Sequence, residues 1–371
     1  MFRLDLTRCG MDKPSGTSLE LGRYPTPVER LDALSTRDVD LWVKRDDRTN
    51  DVYGGNKVRK LDRLLADARA RGARRIVTVG AAGSHHVLAT TYFGRREGFG
   101  VEAVLVPQPR TDHVVEVLRA SVGLGLHAIP VGSWSAAVPA LMQRLVGRGR
   151  ETRFFMVGGS SVVGAMGYVA AAGELAAQVR AGDMPEPDVC VVALGSGGTA
   201  AGLAAGLAAQ GMKTRVVGVC VSQPPWVLGL TARFLARACL RRARRAREEG
   251  ALARAADADS ERLARLTRAA ESRRPMGWRL AVDPRFLGRG YGHATPEGEE
   301  ATEIARAAGL TLDPTYTAKA FASALWHVRA RGQRTVLYWH TLSSAPMGPL
   351  LSAAPGESSL SPRIQGLLLP G

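Results

Sequence analysis

Strand-like and helix-like segments alternate along this 371-residue chain, and no other feature limits its possible folds as much. In the first half, apolar runs predict strands, and stretches with apolar residues three or four positions apart predict helices. The predicted strands are 39–44, 75–79, 101–106 and 126–131, and the predicted helices are 57–71, 86–97 and 112–122. Repeated strand–helix–strand units predict an α/β protein with a parallel sheet and right-handed crossovers.

The second half of the chain continues the pattern in a second α/β region. Strands are predicted at 188–194, 215–221 and 335–339, and helices at 167–180, 199–210, 296–308 and 317–331. The Gly- and Ser-rich segment 158–167 is typical of a loop or hinge. An Arg-rich stretch, 229–274, predicts two helices joined around Gly250. The tail after Ala353 has the Pro, Ser and Gly content of a partly ordered end.

The net charge of +16 raises the question of nucleic-acid binding. Much of the excess is arginine spread over helix-like stretches, which favours solvated helix faces over a nucleic-acid site. A positive field would also help the chain to hold a phosphate-bearing cofactor and an anionic substrate.

Cysteine spacing and hydropathy narrow the class of protein further. Cys9, Cys190, Cys220 and Cys239 have neither disulfide nor zinc spacing, so no metal site is expected. Cys190 and Cys220 lie in strand-like runs, as buried apolar residues do. The first residues contain no apolar signal core, and no uncharged stretch has membrane-spanning length. A cytoplasmic location without a membrane partner is therefore expected.

The segment Gly54-Gly55-Asn56-Lys57-Val58-Arg59-Lys60 places two lysines where a predicted helix begins. Lysine complements a helix N-terminus poorly, because the exposed amide groups there favour anions. The two lysines can hold a bound anion, Lys57 can be a neutral amine or a Schiff-base lysine, or both can be solvated side chains. The segment alone leaves all three interpretations open.

A second segment, 195–199 (Gly-Ser-Gly-Gly-Thr), follows a predicted strand directly and precedes a helix. Backbone N–H groups in such a loop converge on phosphate oxygens. The Walker A pattern fails because no Gly-Lys-Ser/Thr follows. A dinucleotide site lacks its ribose-binding acid, since residues 221–224 read Val-Ser-Gln-Pro. A monophosphate is the ligand that this loop fits best.

Further polar residues follow strands or lie between the late elements. Ser84, His85 and His86 stand at a predicted helix start and offer hydroxyl, imidazole and backbone donors to a substrate carboxylate. Adjacent histidines at a helix start face different directions, which disfavours a zinc site. Ligands of open α/β sheets lie at strand carboxyl ends. The remaining candidates are Tyr291, Tyr316 and the segment 340–344 (His-Thr-Leu-Ser-Ser).

From about Arg23 to Leu350 these segments, in this order, resemble the D-cysteine desulfhydrase and 1-aminocyclopropane-1-carboxylate (ACC) deaminase family. Its members are fold-type II enzymes that depend on pyridoxal 5'-phosphate (PLP). The resemblance rests on 24–27 (Tyr-Pro-Thr-Pro), on 44–47 (Lys-Arg-Asp-Asp) and on the specific stretch Gly-Gly-Asn-Lys-x-Arg-Lys-Leu at 54–61.

The resemblance implies a two-domain α/β fold in which parallel-rich twisted sheets are flanked by helices and the cofactor lies in the interdomain cleft. The large, PLP-binding domain is expected to comprise 1–56 and 167–371, including the Arg-rich insertion at about 229–274. The small α/β domain is expected to comprise 57–166.

The same resemblance implies roles for individual residues. Lys57 is expected to hold PLP as a Schiff base and to act as the base at the substrate Cα. The expected cofactor contacts are Asn56, Lys60, His85, Gly195, Ser196, Gly197, Gly198, Thr199 and Thr341. The expected substrate contacts are Ser84, His85, His86, Tyr291 and Tyr316, and three of them, Ser84, Tyr291 and Tyr316, are also candidate catalytic residues.

The chain departs from the family's pattern at two places. His85 stands where the family usually has the asparagine of Ser-Asn-His, and residues 340–343 read His-Thr-Leu-Ser instead of His-Thr-Gly-Gly. ACC deaminases also have a glutamate after the second tyrosine, whereas this chain has Thr317, with Thr341 nearby by resemblance. A neutral partner for the pyridine nitrogen makes the ring less electron-withdrawing, which suits a reaction whose leaving group takes the electrons at once.

The expected reaction is therefore α,β-elimination on D-cysteine or a related β-substituted amino acid, giving a 2-oxo acid and ammonia, by a homodimer. ACC deamination and another amino-acid lyase or racemase activity are alternatives within the family. From other classes, a PLP-fold protein that has lost turnover and a basic nucleic-acid-associated protein that uses 229–274 stay open.

Overall fold

The computed structural model of the protein describes residues 18–147, 149–222, 224–254, 279–330 and 332–370. Within this part of the chain, two sheets dominated by parallel pairing are each flanked by helices, which confirms the expected α/β fold. A short third pairing joins two strands of two residues each.

The larger sheet has six strands in the spatial order β1-β2-β11-β8-β9-β10. Every neighbouring pair is parallel except β1 and β2, which are antiparallel. The strands are β1 (Val28–Arg30), β2 (Asp40–Arg45), β8 (Val189–Leu194), β9 (Arg215–Cys220), β10 (Leu280–Asp283) and β11 (Thr335–His340).

The smaller sheet has four parallel strands in the order β6-β4-β3-β7. Its strands are β3 (Arg75–Ala81), β4 (Gly100–Val106), β6 (His127–Pro130) and β7 (Thr152–Phe155). Beside it, β5 (Gln108–Pro109) pairs in parallel with β12 (Leu368–Leu369) near the end of the chain. The predicted parallel pairing is thus confirmed in both halves.

Eleven helices connect or cover these strands in the described part of the chain. They are α1 (Asn56–Ala70), α2 (His85–Arg96), α3 (Asp112–Gly123), α4 (Trp134–Leu145), α5 (Val162–Ala181), α6 (Gly198–Ala209), α7 (Pro225–Arg254), α8 (Pro296–Ala307), α9 (Thr317–Arg329), α10 (Gly348–Leu351) and α11 (Pro362–Gln365).

The larger sheet is buried on both faces, because alternate residues of its central strands pack into two separate cores. Val191 and Tyr338 pack with Phe321 of α9 on one face. Val192 and Leu194 pack with Leu203 of α6 on the other. Burial on both faces explains the continuous apolar runs of β8 and β9.

The helices α5 and α1 approach each other closely through glycine. A Cβ atom placed on Gly167 would lie 2.0 Å from the carbonyl oxygen of Arg59, so only glycine allows this crossing. By length and composition alone α5 could cross a membrane, but it carries Glu174 and Arg180, and 56% of the stretch is buried in the fold. It has the character of a core helix.

Two sequence-based expectations about the helices were wrong in detail. The loop expected over 158–167 is already helical from Val162, because the hydroxyl of Ser161 accepts from the N–H of Gly164 and caps α5. The break expected at Gly250 is absent, since α7 continues to Arg254. A glycine inside a helix costs only about 1 kcal/mol relative to alanine. The remainder of the Arg-rich stretch, 255–274, lies outside the described residues.

The tail after Ala353 is more ordered than its composition indicates. Leu360 and Leu367 are buried in a core formed with α3 and β4, and the N–H of Gln108 donates to the carbonyl oxygen of Leu367. The predicted burial of Cys190 and Cys220 is confirmed, and both are free thiols.

Candidate active site

Loops that follow the carboxyl ends of strands from both sheets meet the N-terminal ends of three helices. The loop after β8 leads into α6, the loop after β3 leads into α2, and the residue after β11 contacts the start of α1. Carboxyl ends of parallel strands are where α/β proteins bind ligands. Most of the residues singled out in the sequence lie in this region.

Asn56, at the start of α1, joins three of the predicted site segments. Its side-chain Oδ1 accepts a hydrogen bond of 2.6 Å from Lys57 Nζ, and its Nδ2 donates to Thr199 Oγ1 at 3.3 Å. Its backbone N–H donates to the carbonyl oxygen of Thr341 at 3.0 Å. The structure therefore brings Lys57, Thr199 and Thr341 together around one asparagine.

The environment of Lys57 favours the neutral amine. Burial lowers the pKa of Lys57 from its ordinary value of 10.5 to about 8, and the carboxylate of Asp313 opposes this by favouring the charged form. Desolvation disfavours an ammonium ion, so a partly buried lysine without a close carboxylate partner loses its proton more easily. A neutral amine is the form that attacks carbonyl carbon and accepts protons.

We expect Lys57 to react as an amine at a lower pH than an ordinary lysine. Because only the neutral form is nucleophilic, its labelling by acetic anhydride in the cofactor-free chain should rise with pH through about 8, rather than near 10.4 as for a free lysine side chain. Replacing Asp313 with asparagine should move this rise to lower pH, since the carboxylate raises the pKa of Lys57. Mass spectrometry of peptides from each pH point measures the effect, and a rise only near pH 10 would contradict it.

Lys60 lies one helical turn from Lys57 and points at the glycine-rich loop. Its Nζ donates to the carbonyl oxygen of Gly158 at 3.0 Å and lies 3.4 Å from Ser160 Oγ. Ser160 Oγ in turn accepts from the N–H of Gly198 at 3.0 Å and lies 2.8 Å from Ser196 Oγ. Ser160 thus connects the ammonium group to the first turn of α6.

This arrangement fits a phosphate. Lys60 is 3% exposed, and burial and the proximity of Lys57 hold its pKa well below the ordinary value. A Cβ atom on Gly198 would lie 3.1 Å from Lys60 Nζ and 2.5 Å from Ser160 Oγ, so glycine keeps this space open. A buried ammonium group beside a helix N-terminus is short of negative charge, which a phosphate supplies.

Tyr316 and Tyr291 cover the glycine-rich loop from the other side. Their rings meet edge to face with centroids 5.7 Å apart, and Tyr316 packs against Gly195. Burial raises the pKa of both hydroxyls, so both stay protonated at neutral pH and can donate a proton. Tyr291 is 39% exposed and lies at the outer side of the pair.

Ser84, His85 and His86 stand at the start of α2 and have different surroundings. Ser84 Oγ accepts from the N–H of Val87 and caps the helix. The His86 ring is buried with its Nε2 3.1 Å from Thr78 Oγ1, and burial lowers its pKa to about 3. The His86 ring therefore faces Thr78 of β3, whereas the His85 ring faces Tyr53 and His113.

His85 has partners on both ring nitrogens. Its Nδ1 lies 2.7 Å from the Tyr53 hydroxyl and its Nε2 lies 2.8 Å from Nε2 of His113. A direct bond from its ring N–H to a cofactor, as the resemblance implies, would replace one of these contacts. Among the described residues, no group of three or more His, Cys, Asp or Glu side chains could hold a metal ion.

Thr317 and Asp313 form a compact turn at the start of α9. Thr317 Oγ1 donates to Asp313 Oδ1 at 2.6 Å, and Asp313 Oδ2 accepts from the N–H groups of Thr315 and Tyr316. The Asp313 carboxylate is thus tied to its own loop. The Thr317 hydroxyl is thereby bonded within the same loop. Thr341 is 9% exposed directly after β11, where its backbone carbonyl oxygen accepts from the N–H of Asn56.

The sequence did not predict a role for four residues of this site: Tyr53, His113, Ser160 and Asp313. Ser160 lies in the Gly- and Ser-rich stretch that was read as a loop or hinge, and a serine before a helix was its only signal. Tyr53 and His113 reach His85 over 32 and 28 positions, which no local pattern encodes.

Known proteins resemble this chain over most of its length. Residues 19–341 match the family model described as "Pyridoxal-phosphate dependent enzyme". The chain is 34% identical over 345 residues to nocardicin C-9' epimerase of Nocardia uniformis subsp. tsuyamanensis, covering 90% of this chain and 94% of that protein. It is 32% identical over 340 residues to D-cysteine desulfhydrase of Salmonella newport (strain SL254), covering 87% and 93%.

A solved structure described as an ACC deaminase homologue superimposes with a TM-score of 0.70 at 28% identity and covers 91% of this chain and 96% of that chain. The likeness therefore extends over both sheets and is not restricted to the site.

Proposed function

The chain belongs to the family of pyridoxal-phosphate-dependent enzymes, in the group of ACC deaminases and D-cysteine desulfhydrases, and from this premise we propose that it catalyses α,β-elimination on D-cysteine or a related β-substituted amino acid. The products are a 2-oxo acid, ammonia and the released β-substituent. The observation that carries the proposal is the placement of the Lys57 amine at the start of α1, bonded to Asn56, one helical turn from a group of residues, Lys60, Ser160 and Gly198, that we propose as the phosphate cradle.

The cradle residues divide the binding of the cofactor between them. Lys57 would hold PLP covalently, while Lys60, Ser160 and the amide groups at the start of α6 would hold its phosphate. When bound, PLP supplies an electron sink for the electron pair that proton removal leaves at Cα. The fixed hydrogen bond from Lys57 Nζ to Asn56 Oδ1 keeps the amine at the start of α1.

Lys57 is also proposed as the base that takes the Cα proton. A base works best when its pKa lies near the working pH, because it is then both available and strong enough. A pKa of about 8 satisfies this condition, whereas an ordinary lysine would be almost fully protonated at neutral pH. The Asp313 carboxylate keeps the pKa from falling further.

The start of α2 is proposed to bind the substrate carboxylate. Ser84 Oγ accepts from the N–H of Val87, which leaves its own hydroxyl hydrogen to donate to an anion. The exposed amide groups of a helix N-terminus add favourable charge for a carboxylate. We propose that Tyr291 and Tyr316, as protonated hydroxyls, donate to the leaving β-substituent.

Hydroxyl residues favour elimination over ACC deamination. Thr317 stands where ACC deaminases have a glutamate, and its hydroxyl is bonded to Asp313. With Thr341 as a neutral partner, the bound ring would draw electrons less strongly. Elimination needs less electron withdrawal by the ring, since the leaving group takes the electron pair. ACC has no Cα hydrogen, so a lysine base at Cα would have nothing to abstract.

Epimerisation is a second candidate, and the contact between His85 and His113 favours it. Inversion at Cα needs a proton donor besides Lys57, and the hydrogen-bonded imidazoles of His85 and His113 lie at the start of α2, which is proposed to bind the substrate carboxylate. The chain is also 34% identical to a protein named as an epimerase. An epimerase would return a proton to Cα and release neither ammonia nor a 2-oxo acid.

The test is a panel of amino acids offered to the purified, PLP-loaded protein: D- and L-cysteine, D- and L-β-chloroalanine, ACC, and D- and L-alanine. We expect D-cysteine to give sulfide, pyruvate and ammonia in equal amounts, with no product from ACC. Chiral chromatography detects inversion at Cα. If an amino acid is inverted and no 2-oxo acid forms, the elimination proposal is wrong and the protein is an epimerase. The absence of product and of Cα hydrogen exchange with every compound would favour a protein that has lost turnover.

The assembly, location and domain division stay predictions. We propose a homodimer in the cytoplasm, with the small domain at 57–166 and the large domain at 1–56 and 167–371. The separate sheets, one built from β3, β4, β6 and β7 and the other from the remaining long strands, support the division.

A further inference from the structure

The loop between β10 and α8 carries Tyr291, one of the two tyrosines that cover the glycine-rich loop. Tyr291 stands between Gly290, with a φ of 107°, and Gly292, with a φ of 82°, and glycine adopts such angles more readily than any other residue. Glycine also loses more conformational freedom than other residues when a chain becomes ordered. Contacts from outside the loop are therefore needed to hold Tyr291 in one place.

Lys319, in the first turn of α9, reaches this loop with its ammonium group. Its Nζ donates to the carbonyl oxygen of Leu287 at 2.8 Å and to that of Gly290, directly before Tyr291, at 3.0 Å. The same two oxygens also accept within the loop, from the N–H of Gly290 and the N–H of His293 respectively. One ammonium group therefore joins two consecutive turns of the loop.

Lys319 is a fully buried cation whose partners are neutral carbonyl oxygens. Lys44 is equally buried, but its ammonium group donates to the Glu174 carboxylate at 2.6 Å. Burial lowers the pKa of Lys319, and the carboxylate of Asp313 opposes this. Burying a charge without a close counter-charge is costly. An uncharged side chain would fill the same space at a lower cost, so the two contacts with the loop are what distinguishes a lysine at this position.

The start of α9 also holds Tyr291 through its side chain. Tyr316 precedes α9 directly and lies one helical turn before Lys319. Its ring meets that of Tyr291 edge to face, and the two hydroxyl groups are hydrogen-bonded. The Asp313 carboxylate accepts from the backbone N–H of Tyr316, which fixes this end of the helix. The same turn of α9 thus contacts Tyr291 at its ring and hydroxyl, through Tyr316, and at the carbonyl group before it, through Lys319.

We propose that Lys319 is a positioning residue, which fixes the Tyr291 hydroxyl beside Tyr316 so that it can donate to the leaving group of the substrate. The inference rests on the proposed function for the use of that hydroxyl, whereas the hold on the loop does not depend on it. Lys319 itself transfers no proton and contacts no substrate. It acts only through the backbone of residues 287–291.

The first test is independent of turnover and measures amide hydrogen exchange by mass spectrometry in the full chain. Lys319→Met should fold, because methionine has a similar volume and the carbonyl oxygens of Leu287 and Gly290 each keep a backbone donor. We expect residues 284–293 to exchange about tenfold faster or more in this variant, while β8 and α6 exchange as in the wild type. Lys213→Met, at an exposed lysine, is the control and should match the wild type throughout. Unchanged exchange in the loop, or faster exchange in β8 and α6 as well, would overturn the proposal.

The second test is a double-mutant cycle in the PLP-loaded protein, with the amino acid of the panel that reacts fastest. In Lys319→Met, kcat and kcat/KM should fall together by about tenfold, because a proton donor to the leaving group acts only in the transition state. Tyr291→Phe should lose at least as much, and the double variant should be no slower than Tyr291→Phe alone. Losses that multiply in the double variant would show that Lys319 does not act through Tyr291. If no amino acid reacts with the wild type, the proposed function fails, while the exchange measurement still decides whether Lys319 holds the loop.

Discussion

Replacing Lys57 with alanine is expected to abolish covalent attachment of PLP and to lower kcat by about 10⁴-fold. General acid–base catalysis alone contributes about 10²–10⁴-fold, and the same side chain is proposed to be the covalent anchor as well. The variant should fold normally, because Lys57 is only partly buried and its amine bonds to the neighbouring Asn56. The yellow colour of the purified protein should therefore be lost, while the cofactor-free forms of the variant and the wild type should melt at the same temperature.

Borohydride reduction followed by peptide mapping identifies the anchor directly, since it fixes PLP on the lysine that holds it. The chain has only six lysines. Lys44 is fully buried against Glu174 and Gln178, and Lys319 is fully buried against the carbonyl oxygens of Leu287 and Gly290. Lys213→Ala, at an exposed lysine, is the matched control and should keep colour and turnover. Label on Lys60, or label that persists in Lys57→Ala, would show that the wrong lysine was chosen.

Local sequence patterns were sufficient for the elements and loops that a few neighbouring residues determine. Glycines placed directly after a predicted strand and before a predicted helix indicated the loop at 195–199, and the structure places this loop between β8 and α6. The start of α5 was predicted wrongly, because it depends on a contact with a distant part of the chain. Gly164 and Gly167 read as loop residues, yet Gly167 is needed where α5 crosses α1, and that requirement comes from a residue more than a hundred positions away.

The surroundings of the site residues could not be predicted, because they depend on contacts that no local sequence pattern encodes. Asn56 was singled out by resemblance, but its bonds to Thr199 and to the residue after β11 appear only in the folded chain. The same holds for the pKa of Lys57, which burial and Asp313 determine. His85 is the clearest example. The sequence marked it as a departure from the family, and only the fold places Tyr53 and His113 against it.

Replacing Lys60 with methionine should weaken PLP binding by about 10- to 100-fold while leaving the cofactor-free chain at least as stable as before. A hydrogen bond between charged groups contributes about 1.5–3 kcal/mol, and about 1.4 kcal/mol corresponds to a factor of ten in affinity. In the cofactor-free chain, however, Lys60 has only a carbonyl oxygen and a hydroxyl beside it, and burial and Lys57 both disfavour its charge. Methionine has a similar volume and no charge to desolvate.

Lys44→Met is the matched control, because Lys44 is as deeply buried but bonds to Glu174 at 2.6 Å. Removing one partner of a buried ion pair costs about 3–5 kcal/mol, so this variant should melt at a clearly lower temperature. Thermal unfolding and PLP titration of both variants separate the two kinds of buried lysine. A lysine that serves the fold is costly to remove, whereas one that serves a phosphate is costly only when phosphate is present. If Lys60→Met destabilised the cofactor-free chain as much as Lys44→Met and left PLP affinity unchanged, Lys60 would be a structural residue and the phosphate would have to lie elsewhere.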